Sequence, residues 1–97
     1  MNQSIVQAIR EMKLISLTYK GINRVVEPHA YGLSAKGSEL LRCYQVQGDH
    51  TSLKPHEWDL LTVSKIENLT VLSDGFASAR PDYKKNDKQI PTIYAQL

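Results

Sequence analysis

The residues best suited to chemistry in this chain sit two apart: Leu40, Arg42 and Tyr44. In an extended strand these three share one face, provided that Leu41 and Cys43 between them face inward. A guanidinium offers a planar fork of donors, and a neighbouring phenol offers a ring for stacking. Phosphate plus base is the ligand chemistry that fits such a pair. Arg24 and Lys65 are candidates to add charge for phosphate, and His29 or Tyr31 to form the rim. Which face Arg24, His29 and Tyr31 take depends on a bulge at Pro28. In the plainer alternative, Arg42 lies over a half-buried tyrosine and pairs with Glu27 or Glu39.

Other constellations carry less. His29, His50 and His56 have neither the helical i, i+4 nor the H-x-H strand spacing that places two imidazoles on one metal ion. Cys43, in mid-strand, reads as a small apolar filler of the interior. Glu57 and Asp59 flank Trp58 and would face one way in a strand, either as a solvated face beside a buried tryptophan or, as a minor alternative, a divalent-ion pair for a small hydrolase or nuclease. A G-x-S-x-G elbow and a Gly-rich phosphate loop are both missing from the sequence. The expectation is therefore no catalytic residues, no metal and no cofactor.

Composition narrows the class further. The chain has 97 residues, of which 41% are hydrophobic and 23% charged, as in an ordinary single globular domain. Its 12 Lys+Arg against 10 Asp+Glu give +2, too little for non-specific nucleic-acid binding by bulk charge. A single cysteine excludes an internal disulfide. The sequence contains no long apolar run and no signal pattern at its start, so no membrane partner and a cytoplasmic location are expected.

The elements that must position these residues read as one helix followed by strands. Ser4-Ile5-Val6-Gln7 has capping-box form, and Ile5, Ile9 and Met12 recur at helical spacing. Leu14 to Lys20 alternates, with Ile15, Leu17 and Tyr19 on one side; Gly21-Ile22-Asn23 reads as a three-residue turn. A second strand from Arg24 to about Gly32 carries Pro28 at an edge or bulge. After a turn at Ala35-Lys36-Gly37 comes a third strand, Glu39 to Gln47. A polar loop, Gly48 to His56, leads to strands at Trp58 to Val63 and Ile66 to Leu72, with a corner at Ser64-Lys65. The expected fold is mainly β: a small five-stranded barrel over residues 1–75, with one N-terminal helix. Residues 76–97 are expected to form an extended strap packed on it, anchored by Phe76, Tyr83, Ile90, Ile93 and Leu97 and ending in a helical turn from Thr92. Lys84, Lys85 and Lys88 are interleaved with Asp82 and Asp87, which reads as solvated surface.

The order S-I-V-Q-A-I, L-I-S-L-T-Y-K-G, R-V-V-E-P, G-S-E-L-L-R-C-Y-Q and W-D-L-L-T-V-S-K-I-E-N-L resembles the WYL domain family, over about Ile5 to Phe76. The resemblance implies an Sm-like barrel of the Src-homology-3 type, found in bacterial and phage regulators of transcription and in defence and repair proteins. It also implies a surface that senses nucleotide or single-stranded nucleic-acid ligands. By position, the family's arginine before the strand-two proline falls on Arg24, and the arginine near the fourth-strand corner on Lys65. The Trp-Tyr-Leu triplet falls on Glu39, Leu40 and Leu41, so only the leucine is kept. The arginine that starts the fourth strand is replaced within Lys54 to Trp58.

These readings converge on a non-enzymatic, ligand-sensing or regulatory module for a nucleotide-type or single-stranded nucleic-acid ligand. Its expected site is Arg24, His29, Tyr31, Arg42, Tyr44 and Lys65. The alternative is a protein-interaction or homo-oligomerisation module, in which the Pro28-bearing strand or the tail adds to a partner's sheet.

Overall fold

The computed structural model describes residues 1–48 and 57–97. Helix α1 (Gln3–Glu11) is followed by β1 (Lys13–Tyr19), β2 (Ile22–Leu33), β3 (Glu39–Gly48) and β4 (Trp58–Thr62). A 3-10 turn (Val63–Lys65) leads to β5 (Glu67–Gly75), and the chain ends in β6 (Thr92–Gln96). The polar loop expected to end at His56 lies, from residue 49 on, outside the described residues, as do His50, Lys54 and His56.

The helix starts two residues earlier than its sequence signal. Asn2, not Ser4, is the cap: its side chain accepts from the Ile5 amide at 3.2 Å. Gln7 does not reach back as a capping box requires; its amide donates to Glu11 one turn on, at 2.6 Å. Met12 closes the helix in the left-handed region (φ 54°), with its N–H on the Ile9 carbonyl at 3.2 Å. Ile5, Val6, Ala8 and Ile9 form the buried stripe.

β1 and β2 form a hairpin with Tyr19 opposite Ile22, so its turn holds two residues and not three. Lys20 and Gly21 both take positive φ, 53° and 75°, the combination whose twist matches two antiparallel strands. Ile22 is thereby released from the turn into the ladder.

The long strand β2 organises the rest. β3 runs along one edge of it from Arg24 to Leu33. On the other edge its partner changes: β1 pairs with 22–26 and β6 with 30–33. The ladder to β3 shifts register between Pro28 and Ala30, so the expected bulge is present, and it marks the changeover. Because both edges of β2 are occupied, the Pro28-bearing strand offers little room for strand addition to a partner. The chain end also differs from expectation: from Thr92 it forms β6 instead of a helical turn, with Ala95 opposite Tyr31 and Ile93 opposite Gly32.

All pairings are antiparallel, in the order β4-β3-β2-β1-β5, with β6 added to β2. This makes six strands where five were expected, and the ladder is open between β4 and β5 among the described residues. The helix covers one face. Ile5, Ile9, Ile15, Leu17, Val26, Tyr31, Leu41, Cys43 and Leu61 fill that core, each at most 2% exposed. Segment 76–91 crosses the opposite face of β2, β3 and β4. Coverage from both sides explains why residues 26–32 are buried without alternation. Among the described residues, no helix is long and apolar enough to cross a membrane.

Candidate functional site

Pairing register fixes what the strap covers. Glu27, Tyr44 and Trp58 form one cross-strand row, and Ala30, Arg42 and Leu60 form the next. Leu41 and Cys43 face the helix side, fully buried, so Arg42 and Tyr44 do share the opposite face, as their spacing predicts. Burial pushes the Cys43 thiol well up, which leaves it inert as a nucleophile.

Arg80 of the strap makes the densest set of contacts there. Its guanidinium donates twice to the Glu27 carboxylate, at 2.8 and 3.0 Å, and lies 4.0 Å from the centre of the Tyr44 ring. Its backbone N–H donates to His29 Nε2 at 3.1 Å. Nε2 must then hold a lone pair, so the proton of the neutral ring is on Nδ1, 2.9 Å from the Glu27 carbonyl that accepts it. Trp58, Tyr83 and Phe76 surround the imidazole, with ring centres 4.7, 5.0 and 5.7 Å away. Burial holds its pKa below the ordinary histidine value, partly offset by the hydrogen bond to Glu27 and that residue's charge.

Further along the strap, Trp58 Nε1 donates to Asp82 at 2.8 Å, and the Tyr83 hydroxyl donates to the His29 carbonyl at 3.3 Å. Arg42 Nε donates to Asp87 Oδ2 at 2.7 Å. Arg42 thus has an acidic partner, as its plainer reading required, but on the strap and not at Glu27 or Glu39. Burial works to raise the Asp87 carboxyl; the bond from Arg42, a bond from the Gln89 N–H and the Arg42 charge together take it below the usual range.

Where strap and sheet part, they leave a cavity of about 500 Å³ lined by Arg42, Trp58, Tyr83, Lys84, Lys85 and Lys88, with Asp82 and Asp87 also on its wall. Four cationic side chains against two carboxylates leave the wall positive. Two aromatic rings beside guanidinium and ammonium groups suit a planar anion, since rings stack and cations take its charge.

The structure brings only three of the six expected residues together: Arg42, Tyr44 and His29, all on the strap face. His29 is fully buried and not a rim. Arg24 and Tyr31 are on the helix side. Arg24 is 4% exposed, lies 3.6 Å from Asp59 and donates to the Tyr19 carbonyl at 3.2 Å and to Gln45 at 3.4 Å; its buried Nε has no hydrogen-bond partner. Tyr31 accepts from the Asn2 N–H at 2.7 Å and donates to Glu39, its pKa pushed up to about 12 by burial and that carboxylate. Lys65 is exposed on the 3-10 turn, outside the cavity lining. Asp59, expected to share a solvated face with Glu57, is the helix-side partner of Arg24. No group of three metal-ligating side chains gathers among the described residues.

Residue spacing did not reveal Trp58, Tyr83 and the strap lysines as cavity wall. The one signal available was the aromatic Tyr83 amid alternating charges in Asp82-Tyr83-Lys84-Lys85-Asn86-Asp87-Lys88, which a purely solvated surface does not need. Against known proteins, no family model, curated sequence or solved structure matches the chain.

Proposed function

We propose that the chain is a non-enzymatic ligand-sensing module that takes a nucleotide-type or single-stranded nucleic-acid ligand in the cavity between β3, β4 and the strap. The observation that carries this reading is the meeting of Arg42, Trp58 and Tyr83 with Lys84, Lys85 and Lys88 around one open space of nucleotide size. Phosphate would go to the cationic side chains and the base to the rings. The site differs from the sequence expectation in membership: of the six expected residues only Arg42 lines the cavity, while His29 and Tyr44 lie on the same sheet face under Arg80, and Trp58 and the strap take the remaining places. Likeness to WYL domains, with an Sm-like barrel, a cytoplasmic setting and a part in regulating transcription, belongs to the same proposal. It is supported by the helix-first element order and by the return of β5 to pair with β1, the step that brings a five-stranded ladder round toward closure.

The test is titration of labelled oligo-dT and of AMP at about 50 and 200 mM salt. Two to four phosphate contacts predict a weakening of about 7- to 50-fold for the single strand across that range. The triple variant Lys84→Gln/Lys85→Gln/Lys88→Gln should lose most of the affinity and most of the salt dependence. No binding of either probe at the lower salt contradicts the proposal.

A second reading, a protein-interaction or oligomerisation module, is favoured by β5. Among the described residues this nine-residue strand has β1 as its partner on one edge and none on the other, and it is exposed along most of its length, Val71 included at 37%. It contains no lysine or proline of the kind that blocks edge pairing. Chromatographic mass of wild type against Val71→Lys separates the readings: assembly through β5 collapses to monomer in the variant.

A further inference from the structure

We infer that the strap is the cavity's own competitor: the Asp87 carboxylate holds the place on Arg42 that a ligand's phosphate would take, so binding proceeds by exchange of one anion for the other. This rests on the nucleotide-type reading above and adds how that site is regulated.

Asp87 is presented to Arg42 by a built turn. Its other carboxylate oxygen accepts from the Gln89 N–H at 2.9 Å, and its carbonyl accepts from the Ile90 N–H at 3.0 Å. The preceding residue, Asn86, has positive φ (61°) and is clamped to β6: its N–H donates to Gln96 Oε1 at 3.0 Å, and its Oδ1 accepts from Gln96 Nε2 at 3.1 Å. The Asp87 and Arg42 side chains are 13% and 23% exposed, so their contact is shielded from most solvent yet borders the cavity. Lys84, Lys85 and Lys88 on the same wall are exposed. An arriving anion therefore meets the lysines first and reaches the Arg42 Nε–H only when Asp87 releases it. A carboxylate and a phosphate oxygen make the same kind of charge-assisted bond to a guanidinium, which is why one can substitute for the other.

Asp87→Asn keeps the shape of the side chain and removes its charge. If Asp87 leaves Arg42 open only about a tenth of the time, releasing it tightens the apparent affinity for AMP about tenfold. Asp82→Asn removes an equal charge from the same wall but from Trp58, not from Arg42. It reports the general electrostatic gain, expected to be about two- to threefold. In an Arg42→Gln background the Asp87→Asn gain should shrink to that same small factor. The Arg42 Nε–H resonance supplies a second readout: AMP should shift it in wild type, and Asp87→Asn should shift it with no ligand present.

Wild-type binding of AMP with equal gains from Asp87→Asn and Asp82→Asn overturns the exchange and leaves the binding site standing. An Asp87→Asn gain undiminished in the Arg42→Gln background overturns it too. Failure of AMP to bind wild type and both asparagine variants overturns the exchange and the site together.

Discussion

The two faces of the β2–β3 sheet are covered by different physics. On the helix side, Ile5, Ile9, Ile15, Leu17 and Leu41 are sealed to 0–1% exposure, and burial of hydrocarbon holds the layers together. On the other side, the strap is tied by Arg80 to Glu27 and His29, Asp82 to Trp58, Tyr83 to the His29 carbonyl and Asp87 to Arg42, with Ile90 the one fully buried aliphatic in the segment. Hydrophobic burial does not respond to pH and is not weakened by salt screening; partly exposed ion pairs are weakened by salt, and a buried neutral histidine is sensitive to falling pH. The helix side should therefore carry most of the global stability, and the strap side should be the first to open.

The contrast can be broken at several points. Leu41→Ala, in the helix-side core, should cost about 2–5 kcal/mol in urea unfolding, the largest effect expected. A cost below about 1 kcal/mol would mean that this side is not the stabilising one. Gly32→Ala tests the junction: the added Cβ would collide with the Thr92 carbonyl and lie 2.7 Å from Ile90 Cγ2. It should cost about 1–3 kcal/mol and loosen β6 from β2, read from the exchange of their ladder amides. Arg80→Ala removes a carboxylate pair and a stacked guanidinium, the latter 35% exposed, so the loss should be only about 1–2 kcal/mol and smaller in 1 M salt.

The smallest effect is on pH dependence. The folded chain lowers the pKa of His29, so the unfolded chain takes up that proton first. Its contribution is complete above the unfolded value of about 6.5 and declines as pH falls from there toward the lowered folded value. His29→Gln should flatten the stability profile in that window, and an unchanged profile would remove His29 from the set of strap fastenings.

Much of this was legible from periodicity and some was not. Alternation in Ile15, Leu17 and Tyr19 and in Leu41 and Cys43 told inward from outward correctly, because those strands have one apolar side facing the helix. Alternation fails in 26–32, where both faces are covered and burial runs through Glu27, Pro28 and His29 alike. The side taken by Arg24 and Tyr31 depended on the register shift at Pro28–Ala30, which alternation within a single strand does not fix. In the strap, Asp82 and Asp87 look like solubilising charge. Their roles come from Trp58 and Arg42, 24 and 45 residues away in sequence, and pairings that remote leave no local pattern. Ser4 lost the cap to Asn2 because both residue types suit the position and only the backbone path decides between them.

Residue-resolved hydrogen exchange tests the division most directly. A displaceable strap predicts that the amides of Arg80, Tyr83 and Ile90, bonded at 2.9–3.1 Å, exchange through local opening at least about 2 kcal/mol below the β1–β2 ladder, with little denaturant dependence. Lowering the pH through the His29 window should widen that gap. Strap amides as protected as those of Ile15 and Leu17, and released only with global unfolding, would show one cooperative unit and contradict it.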